Sequence, residues 1–453
     1  MAFLQKRCYS ETEIFETLPV PRAVGALVVP TILSQLVTMV YNLADTFFIG
    51  QLNNPTYVAA VSLSFALYNL LSALANLFGM GGGSYISRLL GAKRDDEARY
   101  VSAFSFYIGL LCALVYSVGL ALLSGPVLRA LGASAAALPY AQSYLRLVIG
   151  IGGVPTMLGL MLAHLLRSEG HARDASFGMM LGGFLNLALD PLFLFVFEIN
   201  VAGVALATLL SNCVSCLYLL NRFLKQKNTH MSLNPRDIRF SCAKEVLLVG
   251  LPAAMGPLLA SVANMTMNKL ISPYGDIPLA AVGVVQKLDM MPLQIGMGLY
   301  QGFMPLVGYN FAAQNYGRMK AVAAYTRKLG VVIAACFVAV YLLIPHQLVT
   351  LFIHEPETVA LGSVFLRLAC LAVPFAVVNF LTSYTLQAMG RGTEALILAS
   401  SRRGLIHIPL MLLLNALAGM YGVMVSQTVA EILTVILSLA VYRRTLKKLG
   451  IDL

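Results

Sequence analysis

Charge is what this chain has least of. Asp, Glu, Lys and Arg make up 11% of its 453 residues, against 58% apolar side chains and a mean hydropathy of +0.79. No water-soluble class has that composition, so an all-α polytopic membrane protein is expected. Residues 1–22 carry Lys6, Arg7, Glu11, Glu13, Glu16 and Arg22 but no apolar core, so no cleavable signal is expected. The seven cysteines (Cys8, Cys112, Cys213, Cys216, Cys242, Cys336 and Cys370) have no framework spacing. Cys213 and Cys216 form a C-x-x-C pair inside an apolar run without further ligands, so the cysteines read as small core residues. Gly79-Met80-Gly81-Gly82-Gly83-Ser84 lacks the Gly-Lys-Ser/Thr ending of a phosphate loop and reads as a surface for close helix approach. His164 and His171 stand seven apart with no Glu between, and no nucleophile elbow is present. An intramembrane enzyme therefore has no credible catalytic set. No cofactor or nucleic-acid partner is expected, and the net charge of +11 is explained by loop distribution.

What is present is a series of long apolar runs. A crossing helix needs about 20 residues, and twelve runs fit: about 24–49, 57–86, 100–124, 141–166, 174–197, 201–223, 245–272, 278–311, 326–346, 359–386, 395–417 and 420–442. Residues 1–23 form a leader, 24–224 a first six-helix lobe, 225–244 a polar linker, 245–445 a second lobe and 446–453 a tail. The halves repeat with a period near 220. Pro30 and Pro252 open the first and seventh spans, and Ala59-Ala60-Val61 matches Ala280-Ala281-Val282. Two like-oriented halves imply a pseudo-two-fold axis along the membrane normal with a cavity between lobes, which is a carrier architecture rather than a channel. With an even span count both termini share a side. That side collects 26 of the 31 Lys and Arg, Arg402 and Arg403 among them, so it is expected to be cytoplasmic. The expected location is the plasma membrane.

Intramembrane acids are few, and each costs about 2.5–3.5 kcal/mol on insertion scales unless it faces a partner, an ion or water. The fifth span holds Asn186 and Asp190 one turn apart, followed by Pro191, which frees a carbonyl and bends the helix. The first span holds Asn42 and Asp45, and the sixth Thr208 and Asn212. Two carboxylates in one lobe could share a proton or supply oxygens to sodium. At the repeat offset Asp45 falls opposite Met267, and Asp190 opposite Ile408, Pro409 or Leu410, so this acid pair belongs to the first lobe alone. The second half offers Gln286, Lys287 and Asp289 in the eighth span. Asn42, Gln286 and Asp289 are the candidates for a substrate cavity. His407 and Glu431 are isolated and read as structural.

Four short segments carry a resemblance. They are Asp45-Thr46-Phe47-Phe48-Ile49-Gly50, Ser87-Arg88-Leu89-Leu90-Gly91-Ala92, Arg167-Ser168-Glu169-Gly170 and Asn186-x-x-x-Asp190-Pro191. With the doubled six-span pattern, the chain resembles the MATE (multidrug and toxic compound extrusion) transporters along nearly its whole length. Residues 76–94 look like the bacterial branch that exports cationic drugs and dyes. The resemblance implies alternating access, cation-coupled antiport of amphipathic, cationic compounds against Na+ or H+, and function as a monomer in membrane lipid. It implies a cation site at Asp45, Asn186, Asp190 and Thr208. The glutamate and aspartate that other members carry in the seventh and tenth spans are missing here, so a second-lobe site is not expected. A lipid-linked oligosaccharide flippase of the wider superfamily is the related alternative. It should need cavity arginines to hold pyrophosphate, and this chain's arginines are expected mostly in loops.

Overall fold

The computed structural model describes residues 10, 12–52, 54–226 and 229–451; Lys6, Arg7, Cys8, Glu11 and Lys227 lie outside them. The described residues of the chain are nearly all helical. Its spans are α1 (Val20–Gln51), α2 (Pro55–Gly91), α3 (Asp95–Ala130), α4 (Leu138–Ile151 and Gly153–Ser168, bent by 48°), α5 (Ala172–Val196) and α6 (Asn200–Lys225). The second half follows with α7 (Ala243–Ile271), α8 (Asp276–Ala312), α9 (Tyr316–Leu343) and α10 (Pro356–Cys370 and Val373–Ala388, bent by 40°). The stretch Gly392–Lys448 is continuous in helical hydrogen bonding but breaks at Gly419, whose φ of 60° and ψ of −144° leave the helical region. The contacts show that the chain reverses there. Arg402 bonds Glu431 and His407 reaches Ser426, pairs that a straight helix would hold far apart. Residues 392–418 are therefore α11 and 420–448 are α12, which completes twelve spans.

Local chemistry explains where the helices start and stop. Asn54 caps α2, its Oδ1 accepting from the Thr56 N–H, and Pro55 fills a position where no donor is needed. Asp95, Asp96 and Glu97 open α3 and Lys447 and Lys448 close α12, each sign set against the helix dipole that favours it.

The packing is asymmetric across the membrane. Near the face that holds both termini, one apolar cluster joins the lobes, running from Val24 and Leu27 of α1 and Phe78 of α2 to Val246 of α7 and Phe303 of α8. Away from that face the core divides. One cluster belongs to the first lobe (Ile49, Leu128, Leu145, Leu194) and another to the second (Ile271, Val285, Phe365, Met411). The lobes are thus closed at the terminal face and separate beyond it. Glycine makes the closure possible. A Cβ on Gly250 of α7 would stand 1.9 Å from the Leu77 carbonyl oxygen of α2, and one on Gly81 would stand 2.2 Å from that of Val246. The glycine run of α2 is a seam between lobes.

The leader is more than a polar lead-in. Glu13–Thr17 forms a single wide turn lodged at the lobe junction. Phe15 is 1% exposed, stacks on Tyr309 of α8 at 4.8 Å between centroids, and lies beside Gly170 of the first lobe. The Phe15 carbonyl accepts from Asn310 and Arg318, and the Ile14 carbonyl from Arg318. Glu16 joins Lys93 of the first lobe to Tyr309 of the second. Lys93 and Tyr309 hold the Glu16 carboxyl below the usual glutamate range. This link is therefore complete at neutral pH and is lost only as acid protonates the carboxylate. Burial of a phenyl ring contributes roughly 1.5–3 kcal/mol, so Phe15→Ala should open the terminal face about tenfold more often. The check is the labelling rate of a cysteine placed at Ser84, whose hydroxyl bonds the Gln387 carbonyl across the lobes. An unchanged rate would mean the turn does not hold the lobes together.

Candidate cation site and cavity

The acids of α1 and α5 meet. The side chains of Asp45 and Asp190 are direct hydrogen-bonding partners, and Asp190 is fully buried. Two carboxyl groups in contact cannot both stay charged without a proton or a cation between them. Among the described residues no ion pair reaches either acid. Asn186 Nδ2 lies 3.5 Å from both Asp190 Oδ1 and Thr208 Oγ1, at the outer limit of a hydrogen bond. Thr208 also donates to the Val204 carbonyl at 3.0 Å. The four residues named from sequence therefore form one cluster drawn from α1, α5 and α6.

Three buried oxygens of this cluster have no hydrogen-bond partner among the described residues: Asp45 Oδ1, Asp190 Oδ2 and Asn186 Oδ1. Buried polar atoms are normally satisfied. Carboxylate, amide and hydroxyl oxygens are the donor set of a hard monovalent cation, and equally of a proton shared between the acids. Among the described residues no group of three or more His, Cys, Asp and Glu is gathered. Pro191 ends the regular part of α5, and a wide turn, Leu192–Val196, follows immediately. Such turns loosen the backbone ladder beside functional groups.

Sequence reasoning missed the shell around the pair. Tyr41, Tyr68 and Tyr144 all lie within electrostatic reach of Asp45. Tyr41 and Tyr68 bond each other, Tyr68 reaches Asn212, and Asn212 donates to Thr156 at 2.8 Å. Tyr41, Asn186 and Thr208 also line a pocket of about 20 Å³, close to the size of one water. The first-lobe tyrosines are spread over three helices, and nothing in their spacing relates them.

The large cavity lies elsewhere. It measures about 310 Å³ and is walled mainly by α7, α8, α10, α11 and α12, with Asn69 of α2 on one side. None of Asn42, Gln286 and Asp289 lines it. Gln286 bonds Asn268, and Asp289 keeps one buried oxygen without a partner. The lining does include Arg402 and Arg403. Both fall in a wide turn, Ser401–Leu405, within the body of α11. The expectation that they belong to the charged loops of the terminal face is therefore corrected: ten residues of helix separate them from its start. Glu431 is not isolated either. Its Oε1 accepts from Arg402 at 2.8 Å and its Oε2 from Asn379 at 2.7 Å. The six described cysteines are all free.

The MatE family model matches residues 30–192 and again 252–413, the two matches beginning 222 residues apart, as the internal repeat requires. Over 441 residues the chain is 32% identical to the multidrug export protein MepA of Staphylococcus aureus strain MSSA476, covering 97% of each. It is 31% identical to MepA of Staphylococcus haemolyticus strain JCSC1435, over 97% of this chain and 96% of that one. Among solved structures, an outward-facing multidrug resistance MATE family transporter of the MOP superfamily superposes with a TM-score of 0.92 at 24% identity, covering 98% of this chain and 100% of that one. A MATE protein in complex with MaD3S gives the same TM-score at 25% identity and the same coverage. Fold, repeat and sequence agree: the chain belongs to the MATE family of membrane transporters.

Proposed function

We propose that the chain is a secondary active antiporter that exports amphipathic organic compounds in exchange for Na+ or H+. The observation that carries this reading is the contact of Asp45 with Asp190, two acids from different helices that no ion pair among the described residues reaches. A proton or cation entering the pair removes the repulsion between the carboxylates and lets α1 and α5 close on each other. Its departure drives them apart. Both helices belong to the first lobe, and α1 also packs on α8 of the second, where Gly298 and Gly302 meet Ile32 and Val28. Occupancy of the pair is thereby coupled to how the lobes meet. The likeness to the MepA multidrug export proteins supports organic compounds as cargo. The cationic character expected of those compounds finds its counterpart in the acids of α1, α5 and α8, not in the large cavity, whose lining has none. The terminal face, rich in Lys and Arg, is read as cytoplasmic, so the form described is closed to the cell interior.

The flippase reading gains two cavity arginines, but Glu431 occupies one of them. A pyrophosphate would need more positive charge than the remaining one supplies. The test is dye efflux from vesicles holding purified protein, with sodium and proton gradients imposed separately. One gradient alone should drive efflux against a concentration difference. Equal efflux with neither gradient would remove the antiport reading.

A further inference from the structure

The cavity of about 310 Å³ is large enough for a drug-sized molecule. Among the described residues its only charged lining residues are Arg402 and Arg403. They are not equivalent. Arg402 is fixed, with Nη1 on Glu431 at 2.8 Å and the guanidinium 3.8 Å from the Phe380 ring centroid. The second Glu431 oxygen is taken by Asn379, whose own oxygen accepts from Ser438 at 3.0 Å, so this network is closed. Arg403 has no such partner. Among the described residues no hydrogen bond or ion pair reaches it, and its Nε is buried without an acceptor. Glu431 and, more weakly, Asp289 act on Arg403 through their fields, but neither is bonded to it and neither lines the cavity. A guanidinium is a flat fork of donors that fits the two oxygens of a carboxylate. Beside it the wall is apolar and aromatic, with Leu293, Met297, Phe380 and Tyr384. Tyr384 and Phe380 are both stacked on Tyr300, which makes that wall flat and firm.

We propose that this cavity binds amphipathic molecules through an acidic group, a carboxylate joined to an apolar ring system, with Arg403 as the anchor. The proposal rests on the export reading for its cargo but adds a charge preference opposite to the cationic one. It makes Arg403 the residue that selects for the acidic group.

The experiment uses purified full-length protein in detergent and three fluorescent probes with one skeleton: pyrenebutyrate, pyrenebutanol and pyrenebutylamine. Binding is read by anisotropy. A charge-assisted pair in a water-poor site should make the acid bind about tenfold tighter than the alcohol, with the amine weakest. In Arg403→Gln the acid should fall to the level of the alcohol. Arg403→Lys, which keeps the charge and loses the fork, should fall between. The proposal is overturned if the amine or the alcohol matches the acid, or if Arg403→Gln leaves the acid preference intact. Should Arg403→Gln fail to elute as a monodisperse protein, the wild-type series still decides. Dye efflux by the same wild-type preparation separates the two readings. Efflux without an acid preference removes this site and leaves the exporter. An acid preference in a protein that moves no dye leaves the site and removes the exporter.

Discussion

Asp190→Asn should reduce gradient-driven efflux to the leak of empty vesicles while leaving the protein folded. The substitution keeps the shape of the side chain and a hydrogen-bonding group beside Asn186 and Asp45. It removes the one property that coupling needs, a charge that an incoming ion can cancel. One elementary charge moving through 100 mV releases about 2.3 kcal/mol, enough for roughly a fortyfold gradient of a neutral substrate. That gradient should collapse to unity. Asp45→Asn should do the same, because the two carboxyls act as one titrating unit. The double variant should be no worse than either single one, since each already breaks the pair. Folding should survive because Asn relieves the repulsion between the two acids rather than stranding a charge. Efflux under an imposed gradient, with thermal unfolding alongside, checks all three. Full coupling in Asp190→Asn would remove the pair from the mechanism. Loss of folding in both single variants would make the acids structural.

The pairing of Asn186 with Asp190 in the first-lobe cluster is legible in the sequence because its signal is local. Asn186 and Asp190 share a helix face by spacing alone, and a carboxylate in an apolar run demands a reason. The meeting of Asp45 with Asp190 was only a hypothesis from sequence, since no spacing rule links residues on different helices. The spans were legible for the same reason as the acids, apolar runs broken by Gly and charge. Their ends ran short by several residues where helices continue past the hydrocarbon, as in α2, which reaches Gly91, and α3, which starts at Asp95. The second-lobe cavity was not legible. Arg402 and Arg403 fall inside the expected span 395–417, yet the charge count groups them with the terminal face. The positive-inside argument treats every Lys and Arg near a span end alike. It cannot separate a solvated arginine from one whose charge is met by Glu431, 29 positions later and past a chain reversal at Gly419. The leader shows the same limit. Glu13 and Glu16 mark it as polar, yet Phe15 between them is buried in the lobe junction.

The Arg402–Glu431 pair should be the most sensitive point in the second lobe for stability, and breaking it from one side should cost about 3–5 kcal/mol. The side chains are 8% and 2% exposed, so neither has water to fall back on. Glu431→Gln keeps the Asn379 contact in outline but leaves the Arg402 charge buried and uncompensated. Arg402→Gln strands the carboxylate in the same way. Replacing both, Arg402→Met with Glu431→Leu, removes both charges and their desolvation, so most of the lost stability should return. Thermal unfolding of the purified variants in detergent measures the cycle, and a coupling well above experimental scatter is expected. Simple addition of the two single losses would show that the residues do not depend on each other. Transport by the double variant then gives the pair its meaning. If the charges only tie α11 to α12, the apolar pair should export dye at close to the wild-type rate, because the coupling ion is handled by α1 and α5 in the other lobe. A stable double variant that exports nothing would give the pair a part in how the cavity handles cargo, beyond tying α11 to α12.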